Sequence, residues 1–347
     1  MQPICHLNLA PGYRGGERQT ELLIRELAKR GLAQRLVVRR GNALVQRCDD
    51  VDGLEIREVA ANPVAAGLAV RGSAVAHSHE GRTIYSGLLA NWLFGIPYVV
   101  TRRMAAAQSP SYLRSKAYDK AARIVAISRA AAEKLKASHP GIDVIVVPSA
   151  LTGFEVDETK VREIRAAHPR KILIGHTGAL DHDVKGQSTI IEVAHLVAER
   201  HPDWQFILCG SGKDEERFRE EIGALKNIEL VGWVDNVGDY LASFDLFAFP
   251  SLSEGLGSSL LDAMQFGLPL VATRVGGIPD IVDDGDNGRL IEPENPEQLL
   301  AGIEDLLADE VEFDAIRARN IEKAKLYDAT HMADAYETLY REIEAQV

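Results

Sequence analysis

The feature that most restricts this chain is an alternation that runs twice. Short apolar runs of four to six residues take turns with amphipathic stretches at helical spacing. Ile4-Cys-His-Leu-Asn-Leu9, Arg35–Val38, Leu54–Val59, Ala74–His79, Pro97–Val100, Arg123–Ile127 and Asp143–Val147 read as strands. Between them, Arg18 to Arg30, Thr83 to Phe94, Ser111 to Ala122 and the stretch after Ser128 read as helices. Residues 149 to 169 are less patterned and read as a connection with a short helix. The alternation then restarts at Lys171–Gly175, Gln205–Cys209, Ile228–Val231, Leu246–Phe249 and Pro269–Ala272, with Asp280–Asp283 and Leu290-Ile291 following. Strands separated by helices cannot pair as hairpins, so each series implies a parallel, doubly wound sheet. Two such halves place the expected ligand crevice where strand C-termini meet. The chain of 347 residues is long enough for two cores.

The most informative stretch is Ser251-Leu-Ser-Glu254-Gly-Leu-Gly257-Ser-Ser-Leu-Leu-Asp262, after the apolar run ending at Phe249-Pro250. It reads as a buried strand, a glycine turn and a helix starting near Ser258. Gly255 and Gly257 let backbone approach a ligand, and the N–H groups of Ser258 and Ser259 lack intrahelical partners. Such a helix start favours a phosphate. The two acids, Glu254 and Asp262, then suit hydroxyl-rich groups on either side of a diphosphate.

Composition removes several classes. Apolar content of 46% and charged content of 26% are those of a globular protein. No apolar run spans a bilayer, and the N-terminus lacks the pattern of a signal peptide. Cys5, Cys48 and Cys209 are too dispersed for a metal or disulfide framework, which suits a reducing, cytoplasmic setting. The net charge of −12 argues against nucleic acid. The charge is uneven: residues 102–136 carry 9 Lys or Arg against 2 acids, and residues 280–347 carry 19 acids against 6 bases. The basic segment suits an anionic partner or a solvated helix face.

Downstream of Asp262 come Gly267-Leu-Pro-Leu-Val-Ala-Thr273, Gly276-Gly-Ile-Pro279 and Asp284-Gly-Asp-Asn-Gly-Arg-Leu-Ile291. Upstream are Gly15-Gly16-Glu-Arg18, His77-Ser-His79, Gly95-Ile-Pro-Tyr-Val-Val-Thr101, Lys185-Gly186, Gly210-Ser-Gly212 and Gly232-Trp-Val-Asp235. In order and spacing this series resembles the family 4 glycosyltransferases. These are retaining enzymes of the GT-B fold, with two Rossmann-like domains facing a central cleft. The family signature is a Glu, seven residues and a second Glu; Glu254 matches the first, and Asp262 replaces the second with a shorter acid.

The resemblance implies an acceptor-binding domain over residues 1–150, with the C-terminal helix at 326–347 packing back on it. It implies a sugar-nucleotide domain over 151–325. The implied donor is a nucleoside diphosphate sugar, UDP-sugar ahead of GDP-sugar, with no prosthetic group and no metal. Lys185 would stabilise the diphosphate, with Gly257, Ser258 and Ser259 donating N–H groups. Glu254 would hold the transferred sugar, Asp262 the ribose, and Val234 the base through its backbone. Gly15 and Gly16 would approach the donor phosphates. Arg103 stands where the family often has a His close to the transferred sugar, so it joins Glu254 and Lys185 as a catalytic candidate.

Ala179 replaces the family's usual Arg, which leaves His176, His182, Arg14, Arg18 or the Arg102–Arg103 pair to supply a second cation. Pro148-Ser-Ala150 replaces the usual Pro-Asn-Gly. The implied reaction moves a hexose-type sugar to a glycan or glycolipid acceptor, as in lipopolysaccharide core or other cell-envelope assembly. A peripheral contact with an anionic membrane would follow from the basic segment. The alternatives are a GT-B sugar-nucleotide epimerase and a non-catalytic sugar-nucleotide-binding protein. His77 and His79 share one strand face, and read as ordinary strand-end histidines because no further metal ligand is evident.

Overall fold

The computed structural model describes residues 2–103 and 111–346. The chain divides into two compact units, residues 1–150 with 327–347 and residues 151–326. Part of the basic 102–136 segment lies outside the described residues.

The first unit holds a seven-stranded parallel sheet. Its strands are β1 (Ile4–Asn8), β2 (Gln34–Arg39), β3 (Leu54–Val59), β4 (Val75–Ser78), β5 (Tyr98–Arg102), β6 (Arg123–Ala126) and β7 (Val144–Val146), in the order β3-β2-β1-β4-β5-β6-β7. The order reverses between β1 and β4, which pair with His6 beside His77. Both β1 and β4 are buried along their whole length, as helix-covered parallel strands must be. One face is closed by the C-terminal helix Ala329–Glu344, whose Met332, Tyr336, Leu339, Tyr340 and Ile343 pack with Leu23, Leu27, Val75, Val99 and Val125. The 3–4 spacing of those five residues creates a single apolar stripe, and the charged residues fall on the opposite side.

The second unit holds β8 (Ile172–Thr177), β9 (Trp204–Cys209), β10 (Ile228–Gly232), β11 (Leu246–Phe249), β12 (Leu270–Thr273) and β13 (Gly288–Ile291), in the order β10-β9-β8-β11-β12-β13. All its pairings are parallel, and the order reverses between β8 and β11. Its core joins Ile174, Phe206, Leu208, Leu246 and Ala248 to helix residues such as Ile190, Val193 and Leu299.

Three local expectations fail. The helix expected from Arg18 starts three residues earlier, at Gly15, and takes in the glycine pair, because Glu17 accepts the Arg14 N–H at 2.9 Å and caps it there. Asp280 does not enter a strand: Ile278–Asp280 is a 3-10 turn set by Pro279. The helices Ala43–Cys48, Pro63–Ala69 and Glu310–Ala324 were not expected. The first two are too short for periodicity to reveal, and each is started by an asparagine: Asn42 accepts from the Leu44 N–H, and Asn62 from the Ala65 N–H.

Candidate active site

In a doubly wound sheet the loops beyond the strand C-termini diverge where the strand order reverses, which opens a crevice there. In the second unit this is the edge beyond β8 and β11. The connection after β8 carries Gly178 to Asp181 and the short helix His182–Lys185, and the loop after β11 carries Pro250 to Gly257. Lys185 Nζ lies 2.5 Å from Glu254 Oε1. Ser251 Oγ donates to the same oxygen at 2.9 Å. The ammonium also stands 5.0 Å from the centroid of the Phe249 ring. Side-chain exposures of 18% for Lys185 and 12% for Glu254 leave the pair reachable yet mostly shielded from water. An ion pair so placed is stronger than one on the surface.

Glycines let these loops come close. A Cβ on Gly186 would stand 2.2 Å from the Pro250 carbonyl oxygen, and one on Gly276 would stand 1.9 Å from that of Glu254. The Thr273 hydroxyl, at the end of β12, donates to the Ser251 carbonyl. The floor of the Lys185–Glu254 pair is thus fixed from three strands.

Helix Ser258–Gln265 starts at Gly257, whose φ is +92° and which has no side chain to cap the first turn. Its opening N–H groups are therefore left to a ligand or to water. Gly257, Ser258 and Ser259 follow Glu254 directly on this edge. Val234 lies half-buried in the loop after β10, beyond the same edge. The Gly232 carbonyl accepts from the Gly210 N–H at 2.7 Å, which ties that loop to the one after β9.

Asp262 is 9% exposed, and its two oxygens face Thr152. Oδ1 accepts the Thr152 N–H at 2.6 Å, and Oδ2 the Thr152 hydroxyl at 3.2 Å. The structure thus gives Asp262 a structural partner that sequence reasoning missed. His176 does not fill the role of second cation. Burial lowers its pKa to about 4, and its Nδ1 is 2.9 Å from the Ala248 carbonyl, so it is neutral. The Ala179 carbonyl instead accepts from Gln187 Nε2 at 2.7 Å.

In the first unit, Gly15 and Gly16 form the first turn of their helix, and Arg103 follows β5. The Arg103 stem passes over Gly16: a Cβ there would stand 3.5 Å from Arg103 Cδ. Arg103 Nη2 lies 3.4 Å from His79 Nδ1. His77 and His79 have a third neighbour, His6 from β1, and the three share their burial and a ligand-atom spread under 4.8 Å. His6 lies 71 positions before His77, so no local pattern announces it.

Two parallel α/β units of this construction define the GT-B fold. Residues 171–309 match the family described as Glycosyl transferases group 1. The chain is 28% identical over 318 residues to the alpha-maltose-1-phosphate synthase of Mycolicibacterium smegmatis, covering 78% of this chain and 79% of that one. It is 28% identical to the D-inositol 3-phosphate glycosyltransferase of Paenarthrobacter aurescens, covering 67% and 64%. Two further relatives align over less than half their own length. Among solved structures, HepE of Anabaena in complex with UDP-glucose superposes with a TM-score of 0.82 at 18% identity, covering 98% of this chain and 99% of that one. This chain is a glycosyltransferase of the GT-B fold.

Proposed function

We propose that the protein transfers a hexose-type sugar, with retention of configuration, from a nucleoside diphosphate sugar to a hydroxyl of a glycan or glycolipid acceptor. The observation that carries the donor half is the Lys185–Glu254 pair beside an uncapped helix start. As the sugar–phosphate bond breaks, negative charge grows on the leaving diphosphate. The Lys185 ammonium and the N–H groups of Ser258 and Ser259 stabilise that charge without a metal. Glu254, already bound by Lys185 and Ser251, accepts from hydroxyls of the transferred sugar. A leaving-group oxygen takes the acceptor proton, so no protein base is assigned. Uridine is the favoured base, since HepE, of the same fold, was solved with UDP-glucose.

On the acceptor side, Arg103 is a cation at the C-terminal edge of the first unit's sheet, directly after β5. It suits an acceptor with an anionic group, as the name of the inositol phosphate enzyme also suggests. A cell-envelope acceptor is supported by the surface of the first unit. Helix Ile84–Phe94 contains no charged residue, yet Trp92 and Leu93 are 57% and 55% exposed. Val64 and Leu68 are exposed on the helix packed against it. Residues 60–122 carry 7 Lys or Arg and 2 acids, in a chain of 39 against 51. An apolar patch in basic surroundings suits an anionic lipid surface. No described helix is long and apolar enough to cross a membrane.

The test is a thermal-shift series with UDP, GDP and ADP, followed by product analysis with the stabilising sugar nucleotide. A ligand bound only by the folded state raises apparent stability. UDP is expected to shift the transition, and donor alone is expected to give no epimer. The absence of a shift with every nucleotide would overturn the donor site.

A further inference from the structure

The three buried histidines of the first unit first suggest a metal site. Their partners say otherwise. His77 Nδ1 is 2.5 Å from the Tyr340 hydroxyl and its Nε2 is 2.7 Å from Thr101 Oγ1. His6 Nδ1 is 3.0 Å from His79 Nε2, and His6 Nε2 is 3.0 Å from Gln34 Oε1. His79 Nδ1 faces Arg103. Every ring nitrogen is thus engaged, a guanidinium adjoins the cluster, and no carboxylate is among these partners. A further cation there would be repelled by the Arg103 guanidinium.

The same contacts set the direction of each bond. Gln34 Nε2 donates to the Ile24 carbonyl at 3.0 Å, so Gln34 Oε1 faces His6. His6 Nε2 must therefore carry the proton, and His6 Nδ1 accepts. His79 Nε2 must then donate to it, which leaves His79 Nδ1 with a lone pair. A guanidinium has donors only, so Arg103 Nη2 donates to that lone pair. One order runs from Arg103 to His79, to His6, to Gln34 and to the Ile24 carbonyl. Protonating either His6 or His79 would set two N–H groups against each other. Burial acts in the same sense, lowering His6 to about 4 and His79 well below its ordinary value.

Arg103 itself is weakly tethered. Its Nε is buried without a partner, and among the described residues the bond to His79 is the one hydrogen bond of its guanidinium. We propose that His79 is a positioning residue for transfer, presenting a fixed lone pair that aims Arg103, with His6 and Gln34 holding the tautomer. The proposal rests on the reading of Arg103 as a residue of the transfer site. His79 touches no reacting atom. It acts by limiting where the guanidinium can point, and a small misplacement of a charged group is costly in a transition state.

Two substitutions separate the halves of the His79 ring. Asn can place its amide oxygen where Nδ1 stands, and Gln can place its amide nitrogen where Nε2 stands. His79→Asn is expected to keep kcat within about threefold, and His79→Gln to lower it on the order of tenfold or more, with the thermal shift by UDP unchanged. His79→Gln with wild-type kcat, in a protein where Arg103→Ala is impaired, overturns the proposal. Arg103→Ala with wild-type kcat overturns instead the reading of Arg103. Nitrogen-15 NMR of the wild-type histidines gives a test that needs no variant: His6 and His79 should both be neutral with the proton on Nε2 between about pH 6 and 8. A proton on His79 Nδ1 sinks the relay.

Discussion

Lys185 Nζ stands 2.5 Å from Glu254 Oε1, so the group that would meet the diphosphate is already paired with the group that would meet the sugar. Each holds the other in place before a ligand arrives. A donor would then enter a site whose charges need little rearrangement, which is the condition for electrostatic stabilisation of a transition state.

Removing either partner should therefore lower kcat by at least ~10²-fold, the effect typical of losing one preorganised charge-stabilising group. The two variants should differ in binding. Lys185→Ala removes attraction for the diphosphate and should weaken UDP. Glu254→Ala frees the lysine and should leave UDP binding intact or stronger. The double variant should lose less than the product of the two single losses, because the residues act as a unit. Steady-state kinetics with UDP titrations on all three proteins would decide. Unchanged turnover in both single variants would remove these residues from the site.

Asp262 invites a separate test, because it bonds Thr152 across 110 positions of sequence. Asp262→Ala would leave the Thr152 N–H without its acceptor, at a cost of about 1–3 kcal/mol for a buried donor left unpaired. The urea midpoint should fall accordingly. Asp262→Asn keeps an acceptor oxygen and should lose less. If Asp262→Ala weakened UDP with no loss of stability, ribose contact rather than the Thr152 anchor would be its main role.

These contacts also mark what sequence reasoning can reach. The order of strands and helices was legible because parallel strands and their covering helices differ in period. The strand–turn–helix at Glu254 to Asp262 was legible because its glycines, serines and acids lie within one loop. Lys185 was reachable only through family resemblance, because nothing local distinguishes it from a surface lysine. Thr152 as the partner of Asp262 and His6 as the partner of His79 were not legible. Their partners are 110 and 73 positions away, and only the folded sheet brings them together. The glycine pair was misplaced because the Glu17 cap, not the apolar pattern, sets where that helix starts.

The buried histidines make stability pH-dependent. His6 and His176 have folded-state pKa values lowered from 6.5 to about 4, chiefly by burial. Both are bases kept neutral by the fold, so the unfolded chain binds more protons between those two values. Their stabilising effect is complete above about pH 6.5 and is lost as the pH falls toward 4, at about 1.4 kcal/mol per pH unit for each histidine. The urea midpoint at about pH 5 should lie well below that at pH 7.5. His176→Asn removes one of these groups while keeping a donor for the Ala248 carbonyl, so its profile should be flatter. A Trp92→Phe background leaves Trp204 and Trp233, both in the second unit, as reporters of this transition. Identical profiles with and without His176 would contradict the assignment.

The apolar patch predicts a binding preference. Wild-type protein should float with vesicles containing anionic lipid at low salt, and much less with neutral ones. Trp92 is 57% exposed, so its emission should move to shorter wavelength as it leaves water. Trp92→Ser with Leu93→Ser should abolish flotation while leaving the thermal shift by UDP untouched. If the wild type fails to distinguish the two vesicles, the membrane reading fails and the donor site stands. If it forms a dimer that these substitutions dissolve, a second copy covers the patch instead.

Gly276 tests how rigidly the Glu254 loop must be held. Its φ of +54° disfavours any residue with a Cβ, and that Cβ would lie 1.9 Å from the Glu254 carbonyl oxygen. Gly276→Ala must therefore push the backbone that carries Glu254, whose carboxylate is paired with Lys185. Gly285 provides the control: its φ of +82° imposes similar strain, but a Cβ there would meet nothing within 4 Å. Both alanine variants should lose about 1 kcal/mol or more of stability from the left-handed backbone. Only Gly276→Ala should also lower kcat, on the order of tenfold or more, because only there does the displaced backbone carry the residue proposed to hold the transferred sugar. Unfolding midpoints and kcat measured side by side would separate strain from displacement. Equal kcat in the two variants would show that the Glu254 loop tolerates movement, and that its close packing on Gly276 serves the fold alone.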